Sequence, residues 1–218
     1  MVLAIDIILS FIAIVKSLTS SSKYLPKFTE WIDEVVENCG KGAKKLEDID
    51  FLAKWEKAIE SKGGLGFLEG QKLNRARIRY WIDEINKISN EKAVLKIADE
   101  GTELFAILKG NRAGFNPFNQ ELIFQKGMTE YEMLHEYKHL EEFSIIGKDE
   151  YIKGMKDLGY SLEQDLIRTY KREMYVYNQI MKQANRLNKA ELKHARWIID
   201  KIIKDGMDSG IDLTKIKI

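Results

Sequence analysis

Cysteine is all but missing: the 218-residue chain has one, Cys39. That excludes an intramolecular disulfide framework and a cysteine-rich zinc knuckle, so any metal has to be held by histidine and carboxylate. Histidine is scarce too, three residues in all. Charge of one sign is lacking, since 35 Lys and Arg stand against 34 Asp and Glu; nothing draws the chain to nucleic acid or to an anionic membrane, and there is no acidic tail. A membrane-length apolar run is absent. The candidate stretch, residues 2–15, is broken by Asp6 and Ser10 and is shorter than the roughly 20 residues a span requires. It also lacks the basic residues that precede a secretion signal. It reads as a buried or interface helix, with membrane association or a signal peptide as the alternatives, and any membrane contact is confined to it. No repeat or low-complexity tract occurs. With 44% hydrophobic residues, the chain can bury one sizeable core and carry a smaller helical appendage.

The first half reads as short helices. Thr29 can cap one that carries Ile32, Val35 and Val36 and stops at Gly40, and a second carries Phe51, Leu52, Trp55, Ala58 and Ile59. Residues 63–70 are dense in glycine and read as a flexible connection; their spacing misses the dinucleotide-binding fingerprint by one residue. Leu73, Trp81, Ile85 and Ile88 mark an amphipathic helix whose arginines, Arg75, Arg77 and Arg79, cannot share one face and are read as solvated. Between residues 93 and 125 the texture changes to short apolar runs at 94–97, 104–108, 113–115 and 121–124, bounded by Gly, Asn and Pro117; these predict a small sheet. A hairpin is expected to turn at Asn119-Gln120, with Pro117 placing its first strand at an edge. Beyond Gly127 the pattern is helical again. A capping box, Thr129 with Glu132, opens one helix, and others are expected from Ser161 to about residue 187 and over 189–204.

The helix opened by Thr129 carries His135-Glu136-Tyr137-Lys138-His139. Residues four apart lie on one helical face, about 6 Å apart along the axis, so the two imidazoles can hold a single zinc ion. Glu136 falls where it can take a proton from water activated by that ion, which makes it the general base and not a ligand. A chance match on a charged helix is the bland alternative. The context argues against it, because the motif follows a capping box and a predicted edge strand, along which a peptide can pair.

Catalytic zinc takes a third protein ligand. The extended three-histidine pattern is excluded, because Glu142 and Ile145 stand where it needs glycine and histidine. Glu142 lies too far along the helix axis to reach the ion. On the next long helix the inward stripe is Leu166, Tyr170, Glu173, Tyr177 and Ile180, and a carboxylate in such company needs a partner, which a metal would supply. Glu173 is therefore the leading candidate. A salt bridge to Arg168 or Arg172 is its ordinary alternative, Glu163 is the second candidate ligand, and His194 a third. Tyr175 and Tyr177 are candidates to steady an oxyanion, and Tyr177 is expected to act in catalysis beside Glu136.

The motifs Ala113-Gly114-Phe115-Asn116-Pro117, Ile123-Phe124, Thr129 through His139 and Arg172-Glu173-Met174-Tyr175-Val176-Tyr177 resemble the zincin-like metallopeptidase domains that end bacterial polymorphic toxins, over roughly residues 93–200. The resemblance implies an α+β, mostly helical catalytic domain with a small sheet, and a gluzincin-like ligand set completed by Glu173. It implies secretion or delivery into a target bacterial cell, with a cytoplasmic location otherwise, a peptide or protein substrate, and a cognate immunity protein. Residues 1–62 would then be a helical pre-toxin region, 63–70 a linker and 71–218 the metallopeptidase domain. A non-enzymatic binding domain and a zinc amidohydrolase acting on a non-peptide amide stay open as alternatives.

Overall fold

A computed structural model describes residues 65–90 and 92–218. The apolar opening and the helices expected before residue 60 lie outside the described residues. Within them the fold is α+β, mostly helical around one small sheet. In chain order the elements used below are α1 (Arg75–Ser89), β1 (Val94–Ala98), α2 (Glu103–Ile107), β2 (Ala113–Asn116), β3 (Glu121–Gln125), α3 (Glu130–Ile146), α4 (Lys148–Ile152), α5 (Leu162–Met181) and α6 (Lys189–Asp208).

The long helices start where their side chains can satisfy the first free N–H groups. Thr129 and Glu132 form both arms of a capping box on α3, as do Ser161 and Gln164 on α5 and Asn188 and Glu191 on α6. Asn74 caps α1, which ends at Asn90 in the left-handed region (φ 54°), a conformation asparagine tolerates well.

β3 is central, parallel to β1 and antiparallel to β2, with Phe115 opposite Leu122. Alternation along β3 sends Leu122 and Phe124 into the main core and Ile123 into a smaller cluster with Ala98 and Leu108. β2 is an edge strand that ends just before Pro117. The run 104–108, expected as a strand, is mostly the short helix α2. A five-residue apolar run does not distinguish the two by period, and the Thr102 hydroxyl, accepting from Phe105 N–H at 3.3 Å, commits it to a helical turn. The helix expected to reach residue 187 stops at Met181 and is followed by a separate turn, Ala184–Arg186.

α3 is buried on nearly every side, so its polar side chains need partners. Glu130 is bracketed by Arg77, Arg186 and the Trp81 indole N–H. Arg77 is thus an anchor between α1 and α3 and not a solvated charge, while Arg75 and Arg79 are exposed. Glu132 accepts from Arg112 at 2.6 Å and Glu142 from Arg172 at 2.5 Å. The described part of the glycine-rich segment is not a free connection. Gly66 and Gly70 close a tight loop whose backbone passes so near Thr129 and Glu191 that a Cβ at either glycine would collide with those side chains. Glycine here permits close approach.

Candidate metal centre

His135, Glu136 and His139 of α3 all open into a cleft of about 730 Å³. Its walls are β2, Tyr151 of α4, Arg168 and Glu173 of α5, and His194 and Trp197 of α6. α5 crosses α3 so that the Glu173 carboxylate straddles both imidazoles, with Oε2 3.5 Å from His135 Nε2 and Oε1 3.3 Å from His139 Nε2. These are long for charge-assisted hydrogen bonds, which run about 2.7–2.9 Å. They match the ligand-to-ligand edge of a tetrahedron around zinc, roughly 3.4 Å for bonds of about 2.0–2.2 Å. One donor atom from each of the three residues lies within 4.8 Å of the others, so a divalent ion fits the donor set.

The Tyr151 hydroxyl is 3.1 Å from His139 Nδ1. If it accepts from an Nδ1–H, His139 Nε2 presents a lone pair toward Glu173, the tautomer a metal ligand needs. Neither arginine takes Glu173. Arg172 is on Glu142, and Arg168 Nε donates to the Tyr151 carbonyl at 2.9 Å.

Electrostatics set the buried groups apart. Burial would raise the Glu173 carboxyl, but the His139 and His135 rings outweigh it and hold its pKa at about 2. Burial brings His135 down to about 4. It acts in the same sense on His139, where the Glu173 carboxylate wins and leaves the ring above the ordinary histidine value. Glu136 is pushed up to about 7 by burial, with Glu173 and Glu132 adding to the rise; His139 and a hydrogen bond from Phe115 N–H oppose it.

A family model described as metallopeptidase toxin 4 matches residues 73–205. The chain belongs to this family. No curated protein and no solved structure matches it significantly. As a metallopeptidase toxin domain it implies a metal and a protein substrate, and His135, His139 and Glu173 form a group that can hold the metal.

The toxin domain leaves other expected residues elsewhere. Tyr177 is one turn beyond Glu173 but does not line the cleft; it packs between α5 and α6 and shares a hydrogen bond with Arg196. The stripe that meets α3 at Glu173 meets α6 at Tyr177, so a common helical face does not give a common neighbour. Tyr175 donates to Glu141 at 3.1 Å. Glu163 is exposed in the first turn of α5. His194 reaches the cleft but lies outside the three-residue group. Sequence reasoning missed Tyr131 and Tyr151. Tyr131 carried a usable signal, standing four residues before His135 on the same face; Tyr151, on a short helix of its own, carried none.

Proposed function

We propose that the domain is a zinc-dependent endopeptidase and the toxic effector part of a bacterial polymorphic toxin, delivered into a target cell and restrained in the producer by an immunity protein. Residues 1–62 would be a pre-toxin region, with the catalytic domain following the glycine-rich segment. His135, His139 and Glu173 hold the ion and Glu136 is the general base. The observation that carries this reading is the Glu173 carboxylate placed 3.3 and 3.5 Å from two Nε2 atoms, beside a carboxyl poised near pH 7.

When bound, the ion polarises a carbonyl and acidifies water. The chain does the rest. Glu136, ionised at or above neutral pH, takes the proton of the attacking water and passes it to the departing amine. β2 orients the peptide. Gln125 N–H donates to the Arg112 carbonyl at 2.8 Å, so with the observed register Gly114 bonds β3 while Ala113 and Phe115 turn their backbone groups to the cleft. Phe115 N–H serves Glu136; the Ala113 groups and the Phe115 carbonyl are left to pair with an extended substrate.

Glu136→Gln tests the mechanism. It should keep zinc and lose cleavage and toxicity by roughly 10²–10⁴-fold, the usual contribution of a general base. Full activity in the Glu136→Gln protein refutes it.

A further inference from the structure

The chain's third histidine has no role in that mechanism, yet it faces the same cleft. His194 Nδ1 is 3.0 Å from the Tyr131 hydroxyl. Its ring stacks on Trp197 (centroids 5.4 Å, 30° between planes) and meets Phe67 edge-on at 5.2 Å. Tyr131, His135 and His139 follow at four-residue intervals along α3, so the phenol belongs to the same face as the two proposed ligands. We propose that His194 donates a hydrogen bond from Nε2 to the carbonyl oxygen of the peptide bond under attack, with Tyr131 as the positioning residue that fixes its tautomer. This rests on the metallopeptidase reaction proposed above.

The direction of the Tyr131 bond follows from what each group needs. A phenol carries its proton at neutral pH, and a buried O–H requires an acceptor. Tyr131 is 2% exposed, and His194 Nδ1 is the acceptor in reach among the described residues; Tyr151, buried alike, accepts from His139 Nδ1 instead because the proposed ion takes His139 Nε2, a constraint His194 does not have. An imidazole that accepts at Nδ1 carries its hydrogen at Nε2. That N–H has no partner among the described residues, and the ring lines the cleft. A core-filling histidine would be enclosed. This one is partly exposed and rests on a tryptophan that is itself 54% exposed, which keeps an edge of the ring open to a bound peptide. The stacking also removes the ring's freedom to turn, and a donor fixed before charge develops is the kind that favours a transition state over a ground state.

The test uses the full chain loaded with zinc. Nitrogen NMR on histidine-labelled protein should find His194 as the Nε2–H tautomer, and Tyr131→Phe should relax that preference. His194→Ala should lower kcat on unfolded casein by about 10²–10³-fold, as loss of one such donor does elsewhere. KM and zinc affinity should stay within about threefold, since an interaction made only in the transition state leaves ground-state binding unchanged. His194→Gln, which retains an N–H donor, should recover part of the loss. If casein is not cut, growth arrest of bacteria producing each variant replaces turnover. A His194→Ala protein that holds zinc and acts like wild type overturns the proposal, as does an Nδ1–H tautomer in the nitrogen spectrum. Glu136→Gln runs alongside: if it too stays active, the metallopeptidase mechanism has failed and not the His194 assignment alone.

Discussion

Glu136 and Glu173 are carboxylates lining one cleft, and their surroundings drive them in opposite directions. Glu173 faces two imidazoles and stays ionised down to about pH 2; Glu136 is pushed up to about 7 by burial, with the charges of Glu173 and Glu132 adding to the rise. Groups separated in this way suit the two roles proposed for them, one a permanent anion for a cation, the other a base that can gain and lose a proton near neutrality. The same charges govern metal uptake. A protonated His139 cannot offer Nε2, and its raised pKa means that the proton competes with the ion from above the ordinary histidine value downward. Acidification therefore weakens binding, while His135, neutral down to about pH 4, adds no such dependence until lower pH. Competition against a chelator at about pH 8 and about pH 5.5 should show weaker zinc affinity at the lower pH, and equal affinities would contradict the assignment. Tyr151→Phe removes the partner of His139 Nδ1. It should lower zinc affinity about 10–100-fold with the fold retained, the range for losing an outer-shell partner; unchanged affinity would show that the phenol only fills space.

At the scale of elements, α3 organises the domain, since it packs on α1, the sheet side and α5 while carrying the site. Its start depends on Thr129, which is fully buried and bonded to both Glu132 N–H and Glu132 Oε2. Thr129→Ala should cost ~1–2 kcal/mol in urea unfolding and leave zinc affinity unaltered, because His135 is more than a turn into the helix. A loss of affinity as large as the loss of stability would mean that the cap positions the site. The Thr129–Glu132 pattern was legible in the sequence because capping is local, and so was the pairing of His135 with His139 on one face. Glu173 was legible as a polar residue on an apolar stripe, though Glu163 and His194 stayed open beside it. What local pattern could not supply was tertiary. The 104–108 run has no period that separates strand from helix, and Arg77 reads as a surface charge until α3 brings Glu130 to it.

The whole molecule sets the cleft between the exposed edge of a small sheet and two long helices, and that placement decides which residues can act together. Tyr177 shares a helical face with Glu173 yet points to α6, whereas His194, far along the chain, comes to the same cleft. Neither fact is visible before the helices are assembled. Nor is the role of Gly66 and Gly70, which bring a loop against the α3 and α6 caps. Across the described residues no helix is long and apolar enough to cross a membrane. The most direct test is anomalous scattering at the zinc edge from crystals of the zinc-loaded full chain. A peak about 2.0–2.2 Å from His135 Nε2, His139 Nε2 and a Glu173 oxygen is expected; no peak there, or one held by other residues, would contradict the account.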